Sequence, residues 1–400
     1  FRQEEKKNFP RWPIFDENEI NALASVIKSG NWWCGAPGLH QGEYVWKFQE
    51  EFAKFQNSKY SIAVFNGTVA IEAALMALGI GMGDEVIVSD YTFMASASAV
   101  IATNAVPIFC DINSETFVMN VDLIEPLITK RTKAVIPVHL AGNSVEMDKL
   151  KKITDRYNLK IVEDCAHAHG SVYNGQNLGN WGDVGTFSFQ ASKVLTSGEG
   201  GAIICNNEQL SDSIYSYIDC GRRKYANGYE HFSYGTNYRM TEYQAAILIE
   251  QMKRFPDQHR LRNKNAQYLM KELNSIDGIR VMKRTPGTTD LGWYVFPFTF
   301  DREKFGRITK EQFYHKLNQY GIPTDDCYPP LHRLDCFKFI KLKKGIDYSH
   351  ANWGGKKSSD EKFPVVSEIY SKSIELPQET LLASTEQLNT IIDFIKSLRK

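Results

Sequence analysis

The stretch Tyr60-Ser61-Ile62-Ala63-Val64-Phe65-Asn66-Gly67-Thr68-Val69-Ala70-Ile71-Glu72-Ala73-Ala74-Leu75-Met76-Ala77-Leu78 holds a short apolar run, a small polar turn and an Ala-rich segment. Tyr60–Phe65 has the length and the aromatic and β-branched content of a buried strand. Val69–Leu78 has the length and side chains of a helix. Asn66-Gly67-Thr68 joins them, so a strand feeds directly into a helix N-terminus.

The rhythm repeats downstream. Glu85–Ser89, Pro107–Cys110, Ala134–Val138 and Lys160–Glu163 read as strands. Ala95–Thr103, Val121–Ile128 and Glu146–Tyr157 read as the helices between them. Gly185–Phe189 and Gly201–Cys205 read as two further strands around a Gly-rich turn. Strands separated by helices of this length imply a mostly parallel sheet covered on both faces. Gly79-Ile80-Gly81-Met82-Gly83 ends a helix before a strand, the reverse of the order a dinucleotide-binding loop needs.

Upstream, residues 16–29 predict an amphipathic helix. Asp16 is its N-cap, Ile20, Leu23, Val26 and Ile27 form its apolar face, and Gly30 is its stop. Val45–Phe55 predicts a second helix. Residues 241–275 predict a long helical pattern with a breaker at Pro256. Beyond it come a strand at Trp293–Phe300, a helix at Lys310–Tyr320, an exposed loop at 341–363 and a final helix at Thr385–Lys396. The expected organisation is a large α/β domain, 1–255, and a smaller α+β C-terminal domain, 256–400.

Composition narrows the function. The 400 residues carry 47 Lys+Arg and 47 Asp+Glu, so no broad basic footprint for nucleic acid and no strongly acidic partner is implied. No apolar stretch is long enough for a transmembrane helix, and the first residues have no signal-peptide core. The seven cysteines are scattered, with no CxxC pair. Reduced thiols and a cytoplasmic location follow as expectations.

Ligands of open α/β sheets lie at the carboxyl ends of the strands. Three segments end up there. Asn66-Gly67-Thr68 offers helix N–H groups and a hydroxyl to an anion, although an ordinary helix cap has the same residues. Glu163-Asp164-Cys165-Ala166-His167-Ala168-His169-Gly170 puts an acidic pair at a strand end. Its two histidines have no third ligand at a fitting spacing, so no metal is expected, and His169 reads as a structural hydrogen-bonder. His139 after the Ala134–Val138 strand reads equally as a cofactor neighbour or as a satisfied buried histidine. Lys193 lies in Ser188-Phe189-Gln190-Ala191-Ser192-Lys193-Val194-Leu195-Thr196-Ser197-Gly198-Glu199-Gly200-Gly201, among uncharged and small residues. Such surroundings favour a neutral amine able to attack a carbonyl. An anion cradle, a carboxylate and an uncrowded lysine match the protein side of pyridoxal phosphate chemistry.

These residues resemble the StrS-like (DegT-type) sugar and aminocyclitol aminotransferases. The lysine run is similar to that family's lysine motif. Asn66-Gly67-Thr68, Tyr91-Thr92-Phe93, Pro137-Val138-His139-Leu140-Ala141-Gly142, Glu163–Gly170 and Gly235-Thr236-Asn237-Tyr238-Arg239-Met240 agree in order over nearly the whole chain. The resemblance implies a fold-type I pyridoxal phosphate transferase, homodimeric, with active sites shared between subunits. It implies pyridoxal 5'-phosphate as cofactor, with pyridoxamine 5'-phosphate between half-reactions. It further implies that Lys193 forms the Schiff base and shuttles a proton, and that Asp164 pairs with the pyridine nitrogen. Phe93 would stack on the ring. Asn66, Gly67, Thr68 and Ser188 would hold the phosphate, and Asn237 would reach the phosphate of the neighbouring subunit. His167 stands where many members have Gln, near the ring's 3'-oxygen. Lysine rather than histidine at 193 points to transamination over sugar dehydration.

Pro10-Arg11-Trp12-Pro13 and Ser29-Gly30-Asn31-Trp32-Trp33 resemble the start of the inosose, 2-deoxy-scyllo-inosose and aminohydroxybenzoate subgroups, which brings segment 1–40 near the site. Trp33, Arg239, Tyr328 and His332 are the implied substrate contacts, the last two from Tyr328-Pro329-Pro330-Leu331-His332. Trp12 reads as packing of the N-terminus, and Arg222 as either a donor-carboxylate binder or a solvated charge. The expected partners are small molecules: glutamate or glutamine as amine donor, and a keto-inositol or keto-sugar as acceptor. The alternatives are a 3-amino-5-hydroxybenzoate synthase-like dehydratase and a non-catalytic cofactor-binding regulator. Overall neutrality favours an uncharged cyclitol or simple sugar over a nucleotide-sugar.

Overall fold

A computed structural model of the chain describes residues 9–34, 43–224, 230–338, 346–352 and 360–399. Its strands, in chain order, are Tyr60–Val64 (β1), Glu85–Ser89 (β2), Val106–Cys110 (β3), Thr132–Ile136 (β4), Lys160–Asp164 (β5), Val172–Tyr173 (β6), Gln176–Asn177 (β7), Val184–Ser188 (β8), Gly201–Cys205 (β9), Ile279–Val281 (β10), Thr288–Asp290 (β11), Val295–Phe300 (β12) and Ser373–Pro377 (β13). The main sheet has the order β1-β9-β8-β5-β4-β2-β3. Neighbours from β3 to β8 are parallel, while β9 runs antiparallel to both β8 and β1. β2, β3, β8 and β9 are buried along their whole length, which is why they read as continuous apolar runs rather than alternations.

The principal helices are Glu17–Ser29 (α1), Glu43–Phe55 (α2), Gly67–Ala77 (α3), Ala95–Ala102 (α4), Met147–Tyr157 (α5), Glu208–Ile218 (α6), Glu242–Asn274 (α7) and Lys310–Gln319 (α8). α3 buries Val69, Ala70, Ile71, Ala73, Ala74 and Leu75 between the sheet and its helical neighbours. Its alanines keep the side chains short, so the helix packs on several sides at once. The result is an α/β fold with one large, mostly parallel mixed sheet and two smaller antiparallel sheets, β10-β12-β13 and β11-β6-β7.

Four expectations need correction or restriction. α1 starts at Asp16 with a capping box to Glu19 and stops at Gly30 (φ 71°), as its sequence implies. Its buried face, however, is Glu19, Ala22 and Val26, leaving Ile20 and Ile27 exposed. That face lies against α7, where Ala246 meets Ala22 and Val26 and where Gln251 and Arg254 hold Glu19. Val121–Ile128 forms two short 3-10 turns, Val121–Leu123 and Glu125–Leu127, because Pro126 enters the second turn and neither has the length of a helix. α7 passes through Pro256 unbroken for 33 residues. Burial of Phe255, Arg262, Ala266 and Leu269 along it outweighs the one hydrogen bond a proline removes. β11, from beyond that proline, pairs with β6, so the two halves of the chain are stitched together. Of the 341–363 loop, residues 341–345 and 353–359 lie outside the described residues, as do 1–8 and 35–40 of the N-terminal segment.

Candidate active site

A cavity of about 530 Å³ opens at the carboxyl ends of β5 and β8 and the N-terminus of α3. It is lined by Asn66, Gly67, Thr68, Phe93, Asp164, His167, Ser188, Lys193 and Tyr328, nine of the residues singled out from sequence.

The cradle is built by a close approach. The Asn66 side chain caps α3 by accepting from the Val69 N–H at 3.0 Å. A Cβ on Gly67 would lie 2.7 Å from Ser188 Cβ, so only glycine lets the helix end come this near to β8. The first-turn amides of Gly67 and Thr68 have no carbonyl behind them in the helix, and their positive end is beside the Ser188 hydroxyl. That is a site for a dianionic phosphate.

Successive residues of β5 point to opposite sides, which separates the acidic pair. Asp164 is on the cavity side. Its Oδ2 accepts from the Ser96 hydroxyl at 2.7 Å and its Oδ1 from the Ala166 N–H at 3.1 Å. Ser96 is within 3.0 Å of the Thr92 hydroxyl, so α4 steadies the carboxylate through a short chain. Glu163 points away and is fully occupied. It accepts from the N–H groups of Gly179, Trp181 and Gly182 and from His139 Nε2 at 3.0 Å. His139 Nδ1 accepts from the Val145 N–H, so Nε2 carries the hydrogen. His139, Glu163 and Cys165 are near enough together to ligate an ion. The four donors on Glu163 make this instead a knot that fastens the loop before β8. His139 is therefore the satisfied buried histidine, and His169 packs between Phe187 and Phe189.

Lys193 is buried, and burial brings its amine down to about 7 against the weaker upward pull of Asp164. Nζ lies 3.8 Å from the centre of the Tyr294 ring. The loop that bears it is closed at its base by Phe189 N–H to Gly200 O at 2.8 Å. Trp12 donates its indole N–H to Ala191 O at 3.0 Å, so the N-terminal strap reaches the lysine loop. Opposite, the His167 ring is 4.1 Å from Tyr294, and its Nε2 is 3.4 Å from the Tyr328 hydroxyl. Burial holds His167 well below the usual imidazole range, so the ring is neutral.

Five other sequence candidates do not line the cavity. Trp33 is exposed and faces the Arg239 guanidinium at 5.3 Å. Arg239 and Arg222 both pair with the buried carboxylate of Asp219, which gives Arg222 a partner in place of solvent. Asn237 is exposed and bridges to Asp219 through the backbone. His332 is fully buried between Asp90 and Asp360, with no free ring nitrogen for a substrate hydroxyl. Conversely, Thr92, Ser96, Gln190, Ser192 and Tyr294 line the cavity without having been singled out. Tyr294 comes from a strand-like run far along the chain. No local pattern marks it, and the left-handed backbone of its neighbour Trp293 (φ 48°) is invisible in sequence.

A model of the DegT/DnrJ/EryC1/StrS aminotransferase family matches residues 13–396. The chain belongs to that family. It is a pyridoxal phosphate-dependent aminotransferase. Among its relatives, the L-glutamine:2-deoxy-scyllo-inosose aminotransferases of Streptoalloteichus tenebrarius and Streptomyces kanamyceticus are each 36% identical, over 81% of this chain and 78% of theirs. Among solved structures, 3-amino-5-hydroxybenzoic acid synthase superposes with a TM-score of 0.87 at 28% identity, over 98% of both chains. S. venezuelae DesV in complex with a ketimine intermediate superposes at 0.82 with 30% identity, over 95% of this chain and 94% of that one. Among the described residues of this aminotransferase, no helix is long and apolar enough to cross a membrane.

Proposed function

We propose that this aminotransferase moves an amine from glutamine or glutamate to a keto group on a polyhydroxylated ring, a keto-inositol or keto-sugar. The observation that carries the acceptor class is the cavity lining. Apart from Lys193 it holds no cation among the described residues, while Ser192, Tyr294 and Tyr328 present hydroxyls beside that lysine. A neutral polyol suits such a wall, whereas a nucleotide diphosphate needs cations. The inosose substrates named for the relatives are neutral polyols of this kind.

The donor set fits the cofactor. Asn66, Gly67, Thr68 and Ser188 would hold its phosphate, Phe93 would stack on its ring, and Asp164, steadied by Ser96, would keep the ring nitrogen protonated. Bound pyridoxal 5'-phosphate supplies a carbonyl that takes up the amine and a ring that withdraws electrons, alternating with pyridoxamine 5'-phosphate between half-reactions. Lys193 Nζ, lowered to about 7, is uncharged often enough to act as nucleophile and then to carry a proton to and from the substrate carbon. Neutral His167 has no charge to compete with Asp164 for the ring. The aromatic wall keeps bulk water from Lys193. A homodimer is part of this reading, with the exposed Asn237 of each subunit reaching the phosphate in the other. The seven free cysteines are in keeping with a cytoplasmic setting.

The test is a two-stage titration. Glutamine or glutamate should bleach the visible Schiff-base absorbance, and a keto-inositol should restore it. A protein that binds no pyridoxal phosphate, or that no polyol ketone restores, would overturn the reading. The likeness to the aminohydroxybenzoate synthase favours one rival, an eliminating enzyme. An aromatic absorbance growing from an aminodehydroquinate-type compound would decide for it.

A further inference from the structure

The hydrogen bonds along one wall of the cavity have fixed directions. At one end the Ala141 N–H, which can only donate, reaches His167 Nδ1 at 3.3 Å. The neutral ring therefore carries its hydrogen on Nε2, which donates to the Tyr328 oxygen at 3.4 Å. At the other end Gln190 Oε1 accepts both the Ser192 N–H at 2.9 Å and the Ser192 hydroxyl at 2.7 Å. With its hydrogen committed there, Ser192 Oγ can only accept from the Tyr294 hydroxyl, 2.8 Å away. Tyr294 therefore gives its only hydrogen to Ser192. The chain runs Tyr294 to Ser192 to Gln190, every hydrogen used.

From this geometry we infer that Tyr294 and Ser192 form an acceptor-only wall that selects ring hydroxyls of the keto substrate and turns its carbonyl away, towards Lys193. The inference rests on the polyol-ketone reading above. Both hydroxyl oxygens keep a spare lone pair but no spare hydrogen. A hydroxyl of the substrate can donate to that wall. A ketone or carboxylate oxygen cannot be satisfied there unless the chain breaks, and an unmade bond in a buried site is expensive. Tyr294 heads this chain and also caps Nζ of Lys193 at 3.8 Å, so the wall and the nucleophile are in register. Tyr294 is thus a specificity-determining residue, and Ser192 fixes its polarity.

The experiment compares the wild-type holoenzyme with Tyr294→Phe and Ser192→Ala. Calorimetry with scyllo-inositol, an unreactive polyol, should give a Kd about tenfold weaker in Tyr294→Phe, the effect of one hydrogen bond near the upper end of its usual range. The acceptor KM should rise by the same factor, and by more than the KM for glutamine in its half-reaction, followed by absorbance. Cyclohexanone, which has no hydroxyl, should bind Tyr294→Phe unchanged and Ser192→Ala more tightly, because the freed Tyr294 hydrogen can then donate. Failure of wild type to bind scyllo-inositol, or equal losses for glutamine and acceptor, would overturn the wall. Absence of any glutamine half-reaction in the wild type would instead overturn the functional reading, with the calorimetry still standing.

Discussion

His332 Nδ1 lies 2.5 Å from Asp90 Oδ2, both side chains fully buried, and the His332 N–H donates to Asp90 Oδ1 at 2.9 Å. Leu331 N–H adds a bond to Asp90 O at 2.9 Å. Asp90 is two residues before Thr92 and three before Phe93, and His332 is four after Tyr328. The clasp therefore joins two loops that reach the cavity from distant parts of the chain. On its outer side Asp360 accepts from His332, Arg333 and Ser367.

Breaking the clasp should cost both stability and rate. His332→Ala leaves Asp90 buried without its partner, a loss of about 3–5 kcal/mol in unfolding free energy. A displacement of Tyr328 near 1 Å would lower kcat/KM by up to about 100-fold. His332→Asn, which keeps a donor near Nδ1, should recover part of both. Chemical denaturation and steady-state kinetics on the three proteins check this, and an Ala variant with wild-type stability would refute it.

Lys193 sets a pH dependence with a definite sign. Its ammonium is lowered from 10.5 to about 7 by burial, so between those values the unfolded chain binds more protons than the native one. Stability of the cofactor-free protein should rise with pH across that window and be least below it. Lys193→Met keeps the bulk and removes the titration, so its stability should be flatter from pH 7 to 10.5. Melting temperatures of the two apo-proteins across that range are the measurement. Lys193→Ala should abolish turnover.

Ser96 is a positioning residue for Asp164. Ser96→Ala removes the 2.7 Å bond to a charged carboxylate, worth about 1.5–3 kcal/mol. If that bond steadies the protonated ring nitrogen, kcat falls by about tenfold or more and the absorbance of the bound cofactor shifts. Ser96→Thr, which keeps the hydroxyl, should restore the spectrum. A change in melting temperature alone, with kcat and spectrum untouched, would reduce Ser96 to a structural role.

Gly67→Ala tests the cradle. Its Cβ would meet Ser188 Cβ at 2.7 Å, and the backbone of α3 and β8 must yield. Overpacking of this kind destabilises by about 1–3 kcal/mol. The cofactor, titrated by absorbance, should bind more than about tenfold more weakly, because the amides move off the phosphate. Adding Ser188→Gly should relieve the clash and restore stability more than affinity, since Ser188 also offers its hydroxyl. Independent, additive effects of the two substitutions would argue against the contact.

Much of this protein was legible residue by residue. Apolar runs of strand length, broken by helices, imply the parallel sheet because β2, β3 and β8 are buried on both faces. Asp16 and Gly30 mark both ends of α1 because caps are local chemistry. Asn66-Gly67-Thr68, Asp164 and Lys193 announced themselves because strand-end position and small, uncharged neighbours are sequence properties. What tertiary structure alone decided depends on partners far along the chain. Ile20 looks like core and is exposed because α7 meets α1 along the Glu19, Ala22 and Val26 face, through Ala246, Gln251 and Arg254. Pro256 looks like a break and is passed over because burial along α7 outweighs one lost hydrogen bond. His332 looks like a substrate ligand and is a clasp because β2 ends at Ser89, next to Asp90. Tyr294 has no sequence signal, since its role comes from the meeting of Ser192, Lys193, His167 and Tyr328 around it. Local chemistry follows from neighbouring residues and can be read from them. Burial and hydrogen-bond direction follow from which distant segments meet, and only the folded chain determines that.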